Sequence, residues 1–393
     1  MGEQATNTGV VDNPVVGFVR DRTTWLLYAA LGAFGALQTV PSLVTPALRE
    51  EFGFGYGLAS AHVSLFAAGS VLCGLAGAAA TRRVGRRAVL VAGLLGFAAA
   101  VLILTAGRAP WATLGACLLG GGLGTLVLLA VQAGLADHHG ERRAVAFAES
   151  NVLASVGTTL APLLVGGLTV ATGSWRWGVG LLAVLAVVVV SASRTIHVPE
   201  AATAQRGDRH SRLPLAARAG VALVFCGVVL EWSVSFWGAT YLRDVVGLSR
   251  PTAVTCMALF FGAMLTGRVA GAVLARRRPS DQLVAVALVI ATSGLGVAAV
   301  STAAPAVLVA LVLLGLGISV LFPLGLSLAV AAAPDAAAAV SGRCVTAGSA
   351  AVLLGPLLVG RLADVVGLRE ALLVLPLTVL AAGPLLRRAS AAR

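Results

Sequence analysis

The run Pro162-Leu163-Leu164-Val165-Gly166 recurs letter for letter as Pro356-Leu357-Leu358-Val359-Gly360, an offset of 194 residues in a chain of 393. Working outward at the same offset, Leu168 and Gly173 fall on Leu362 and Gly367, and Gly121 and Ser155 fall on Gly315 and Ser349. Phe66, Gly77, Arg82 and Arg83 fall on Phe260, Gly271, Arg276 and Arg277. A chain rich in Ala, Gly and Leu yields single coincidences easily. Here prolines, glycines and loop arginines share one ungapped register, which is the signature of a duplicated unit.

The unit itself is built for lipid. With 58% hydrophobic and only 11% charged residues, the chain carries more apolar surface than a water-soluble core can hide. Its apolar runs are about 20 residues long, enough to cross roughly 30 Å of hydrocarbon as helices. Open strands there would leave backbone groups unpaired. The spacing predicts helices over 24–46, 58–80, 88–107, 112–136, 146–171, 176–193, 218–242, 252–275, 282–303, 306–330, 341–363 and 370–386. The fold class is thus an all-α integral membrane protein, twelve transmembrane helices in two pseudo-symmetric six-helix bundles. A Pro, Ala, Gly and charge-rich break reads as a flexible linker. The expected organisation is a cytoplasmic tail 1–23, a bundle 24–193, a cytoplasmic linker 194–217, a bundle 218–386 and a tail 387–393.

The formal charge of +12 comes from arginine alone, since the chain has no Lys. Its placement argues against nucleic acid as a partner. Arg20 and Arg22, the Arg82 to Arg87 cluster, Arg142 and Arg143, five Arg between 194 and 218, Arg276 to Arg278, and Arg387 and Arg388 all fall on one side of the predicted spans. That is the positive-inside pattern of a bacterial inner membrane protein with both termini in the cytoplasm. Nothing resembling a cleavable leader precedes the first helix.

Cys73, Cys117, Cys226, Cys256 and Cys344 lie inside apolar runs with no Cys-x-x-Cys spacing, so they read as small hydrophobes, and no metal site is expected. His62 is an isolated outer-half histidine, and His138-His139 belong to a polar turn. No Gly-rich phosphate loop, zinc-protease motif or nucleophile elbow is present, which argues against ATP drive and against an enzyme, and no cofactor is called for.

Two six-helix halves, a basic central linker and a basic turn after helix two together resemble the major facilitator superfamily across essentially the whole chain. Arg82-Arg83-Val84-Gly85-Arg86-Arg87 is similar to that family's loop motif D-R-x-G-R-R, with Arg82 replacing the leading acid. Gly157-x-x-x-Ala161-Pro162-x-x-x-Gly166-Gly167 resembles the helix-five motif of exporters, which tilts the expectation toward export. The stretch from Glu231 to Leu242 in helix seven is similar to fucose-permease-like members.

The resemblance implies a secondary active transporter working by alternating access, its cavity lined by helices one, four, seven and ten. It thereby nominates Gln38, Thr39 and Ser42 of helix one, Glu231, Trp232 and Ser235 of helix seven, and Ser319 and Phe322 of helix ten as the substrate wall. Inter-helix hydrogen bonding and packing are the competing uses of these side chains. A charged group at mid-membrane is costly and usually faces a cavity or a partner. Glu231 is such a group, expected to act in proton coupling or in substrate recognition. Glu149 of helix five and Arg268 of helix eight are expected to pair across the halves as a cytoplasmic gate, with Arg82, Arg83, Arg86, Arg87 and Arg343 as further gating charges. The expected solute is small, neutral or amphipathic, because the predicted wall offers aromatic surface and little charge. The expected partners are that solute, the lipid bilayer and protons, and the expected state is a monomer. A transporter-shaped sensor or scaffold that binds without turnover is the alternative.

Overall fold

The computed structural model describes residues 19–193 and 213–390. The expected N-terminal tail up to position 18, the linker from 194 to 212 and the last residues from 391 lie outside the described residues. Among the described residues, twelve helices are long and apolar enough to cross a membrane. Helices two to five are Tyr56–Val84, Arg86–Ala106, Pro110–His139 and Arg143–Thr172. Helices six to nine are Trp175–Ser193, Leu215–Asp244, Arg250–Leu274 and Ser280–Val300, and helix eleven is Ala337–Val366. Most run a turn past the apolar stretch that predicts them, because backbone hydrogen bonding continues into the polar ends.

Helices one, ten and twelve are each broken. Helix one divides into Arg22–Gln38 and Val40–Phe52, helix ten into Ala304–Ile318 and Leu321–Ala331, and helix twelve into Leu368–Leu372 and Leu375–Ser390. Each break lies within four residues before a proline, Pro41, Pro323 and Pro376. A proline has no N–H to give the carbonyl four residues back, and its ring crowds that carbonyl.

The duplication is legible in the packing. A Cβ on Gly121 of helix four would collide with the carbonyl of Phe66 in helix two, and one on Gly315 of helix ten with the carbonyl of Phe260 in helix eight. Both partners of the first contact map onto the second at the 194-residue offset. Such glycines let helix backbones touch where lipid offers no hydrophobic drive for association. Gly173 and Gly367, also equivalent, end helices five and eleven with φ of 73° and 92°, a conformation glycine adopts without strain.

The halves meet along helices five and eight and along helices two and eleven. At the end away from the termini the joint is ionic. Arg49 pairs with Asp244 at 2.5 Å and lies over the Tyr56 ring, 3.7 Å from its centroid. Glu50 receives both Arg243 and Arg250. Asp364, near the end of helix eleven, accepts the backbone N–H of Tyr56 at 2.6 Å and of Gly57 at 2.8 Å, so it caps helix two from the opposite half. Further in, Gly360 lies against Ser60, and the Ser64 hydroxyl donates to the Leu353 carbonyl at 2.9 Å. The structure is therefore closed at the end away from the termini.

At the termini-bearing end, charges pair within the N-terminal half. Arg20 makes a two-pronged bond to Glu149 at 2.5 and 2.8 Å, and Tyr28 donates to the same carboxylate at 3.0 Å. Asp21 caps helix one through Thr24 and contacts His138 at 2.9 Å. Arg86, buried, pairs with Asp137 at 2.6 Å.

Candidate functional site

The break in helix one begins the site. Pro41 frees carbonyls there, and the neighbouring hydroxyls turn to satisfy the backbone: Thr39 donates to Ala36 at 2.7 Å and Ser42 to Thr39 at 2.7 Å. This segment forms one wall of a cavity at the junction of the halves, together with helices two, five, seven and eight. Helix seven presents Glu231, Trp232 and Ser235, which recur at the spacing of one helix face.

Arg268 of helix eight completes the cavity. It stands next to Gly267, whose missing side chain admits Ser319 of helix ten and so brings helix eight close to the core of its half. From there the guanidinium reaches in two directions. One nitrogen donates to the Glu231 carboxylate at 3.1 Å, and another crosses the interface to the Ser155 hydroxyl of helix five at 3.0 Å. The Arg268 side chain is 38% exposed and lines the cavity. Around the polar cluster, Phe66, Phe236, Phe261 and Met264 supply apolar wall.

Six residues of the expected substrate wall, Gln38, Thr39, Ser42, Glu231, Trp232 and Ser235, line this cavity. Ser319 and Phe322 are not among its lining residues in this structure. Ser319 is buried against Gly267 with its hydroxyl on the Leu316 carbonyl, and Phe322 packs toward Gly348 of helix eleven. The helix-ten break keeps them inside their own half.

The expected Glu149–Arg268 pair is likewise not formed. Glu149 lies six residues along helix five from Ser155, about 9 Å at the usual helical rise. It is held by Arg20 and Tyr28, while Arg268 is drawn to Glu231. Arg268 is therefore a cavity residue in this state. Among the other expected gating charges, Arg82, Arg83 and Arg87 are exposed, Arg343 is half-buried, and Arg86 joins helix three to helix four through Asp137. His62 donates or accepts only within its half, to Thr113 at 2.9 Å and to the Leu58 carbonyl at 3.0 Å.

Ser155, Thr158 and the helix-eight residues were missed as wall because the resemblance points to helices one, four, seven and ten. Two signals were available. Ser155 is one of the repeat-matched positions, and Arg268 is a charge inside a span, which needs a partner.

The family model for the Major Facilitator Superfamily matches residues 24–356. The chain belongs to this superfamily. Its fold is similar to that of a bacterial homolog of the human lysosomal transporter Spinster in an inward-facing, occupied conformation. The TM-score is 0.77 at 14% identity, covering 96% of this chain and 98% of that one. The nucleoside transporter NupG superposes with a TM-score of 0.73 at 14% identity, over 95% of this chain and 100% of that one. A D-xylose-proton symporter gives 0.71 at 16% identity, over 93% and 96%. At these identities the likeness is one of fold. No curated protein sequence matches the chain. As a superfamily member with twelve apolar helices, it is a multi-pass membrane protein of transporter architecture.

Proposed function

We propose that this chain is a secondary active transporter that moves a small amphipathic organic solute across the bacterial inner membrane as a monomer, coupled to protons through Glu231. The observation that carries the reading is the Arg268 bridge. A single cation in a mid-membrane cavity binds the Glu231 carboxylate of its own half and the Ser155 hydroxyl of the other. Protonating Glu231 removes half of that arrangement, and rocking the halves apart removes the other half. One residue thus feels both the proton and the conformation, which is what coupling requires.

The mixed wall supports an amphipathic solute, since aromatic and aliphatic surface can take an apolar body while a few polar groups orient its head. A symporter of protons and a sugar among the similar folds is compatible with proton drive. Net movement follows the combined solute and proton gradients. With the termini in the cytoplasm, the closed network of Arg49, Asp244 and Asp364 faces outward.

The test begins with a thermal-shift screen of purified protein, because a ligand that binds the native state raises its melting temperature by mass action. Hits are then assayed in proteoliposomes, comparing pH-gradient-driven uptake with counterflow exchange for wild type and Glu231→Gln. Loss of driven uptake with exchange retained is the expected result. Unchanged behaviour in both assays sinks the coupling role, and binding without any flux would make the chain a sensor.

A further inference from the structure

On the reading just proposed, the charge balance of the cavity narrows the solute. Glu231 and Arg268 are the charged side chains among its lining residues. Helix one faces them with Gln38, Thr39 and Ser42, helix two with Val63 and Phe66, and helix five with Ser155 and Thr158. Helices ten, eleven and twelve contribute no lining residue. A charged ligand entering between the pair must strand one member. A cation that takes Glu231 leaves Arg268 unpaired, and a guanidinium cannot shed its charge in a protein. An anion that takes Arg268 leaves Glu231 unpaired, and a carboxylate can be neutralised by a proton. The side chains of the pair are 38% and 21% exposed, so water lowers the cost of stranding one, but a charge left beside the apolar wall is still unfavourable unless it is compensated. Only the second exchange ends with every charge matched.

The hydrogen-bond inventory points the same way. Thr39, Ser42, Ser155 and Thr158 each spend their single hydroxyl proton on a backbone carbonyl, of Ala36, Thr39, Asn151 and Ser155 respectively. Their oxygens can accept from donor-bearing parts of a solute but have no proton to offer its charged head. The donors left for a ligand are the Gln38 amide, the Trp232 indole N–H, the Ser235 hydroxyl and the unused N–H groups of Arg268. An anionic head, which only accepts, is matched by that set.

We infer that the solute is an amphipathic organic anion of single negative charge, bound at the Arg268 guanidinium together with one proton on Glu231. The proton arrives from the same side as the anion. It leaves when the anion departs and Arg268 returns to Glu231, so each turnover carries no net charge. The apolar body lies along Phe66, Phe236, Phe261 and Met264.

The test uses three probes that share a naphthyl body: naphthalene-2-sulfonate, the neutral sulfonamide and a naphthylmethylammonium. A sulfonate is chosen because, unlike a weak acid, it does not cross lipid in a protonated form. Affinities are measured on the purified full chain between pH 5 and 9 for wild type, Glu231→Gln and the double variant Glu231→Gln/Arg268→Gln, which strands no charge and so guards against misfolding. The sulfonate is expected to bind wild type with an apparent Kd that rises up to about tenfold per pH unit in the alkaline range, as the protonated fraction of Glu231 falls. In Glu231→Gln the Kd should stay constant with pH, and in the double variant binding should weaken at least about tenfold. A pH-independent wild type, undiminished binding by the double variant, equal binding of the neutral or cationic probe, or no binding of any probe overturns the inference. Pyranine-loaded proteoliposomes separate it from the transport reading. Sulfonate binding as expected but without proton entry refutes transport and leaves the anion site standing. Proton entry driven by the sulfonamide alone refutes the anion site and leaves transport standing.

Discussion

Replacing Asp364 by Ala removes a contact that exists only while the end away from the termini, the outer end in the orientation proposed above, is closed. The carboxylate of Asp364 accepts two backbone N–H groups at the start of helix two, from the opposite half, at 2.6 and 2.8 Å. Hydrogen bonds to a charged group contribute about 1.5–3 kcal/mol each when sheltered. A charge at a helix N-terminus adds roughly 0.3–1 kcal/mol when exposed. Asp364 is exposed, so water competes and the low end applies, about 1–2 kcal/mol for the whole cap. That shifts the closed-to-open ratio at the outer end by a factor of roughly 5–30. Spin labels at Thr172 and Thr302, exposed positions on opposite halves at this end, report the change as a distance distribution on a cysteine-free background. The longer-distance population should grow in Asp364→Ala and much less in Asp364→Asn, which keeps an acceptor. A distribution identical to wild type, with the variant folded, would show that the cap does not hold the outer end shut.

Gly121→Ala and Gly315→Ala should each lower thermal stability by about 1–3 kcal/mol or more, since the added methyl meets a backbone carbonyl that cannot rotate away. Gly115→Ala and Gly180→Ala, with open space around them, should leave the melting temperature within a degree or two, and equal losses at all four would refute the close-packing account. The carboxyl of Asp21 is held below its ordinary range: burial acts to raise it, but the Thr24 hydrogen bonds and His138 outweigh that effect. Its contribution to stability is therefore present above the unfolded carboxylate value and lost as pH falls through the folded one. Wild type should thus lose more melting temperature than Asp21→Asn on acidification below about pH 4.

The membrane fold was legible because lipid leaves the sequence few options. Length of apolar run, arginine placement and the 194-residue register each point to twelve helices in two halves, and the Gly121–Phe66 and Gly315–Phe260 contacts carry that register into three dimensions. The cavity was only partly legible. Helical spacing put Glu231 and Ser235 on one face and Pro41 beside Thr39 and Ser42, all local relations. The pairing of Glu231 with Arg268 depends on how helices seven and eight cross, and that of Arg20 with Glu149 on a segment folding back from before helix one. Neither distance is written in local spacing. The surroundings of helix ten were hidden for a related reason: Ser319 and Phe322 sit at a proline break, and their neighbours Gly267 and Gly348 come from helices eight and eleven.

The repeat-matched glycines inside each half and the glycines of the joint have different nearest neighbours. Gly121 and Gly315 press backbone on backbone, whereas across the joint Gly166 meets first the Thr255 hydroxyl, with the Pro251 carbonyl beside it, and Gly360 meets the Ser60 hydroxyl. A hydroxyl can trade its partner for water; a carbonyl wedged against a neighbouring helix has no room to do so. The seams within each half are thus permanent welds, and the seam between halves is a fastening that solvent can undo and remake.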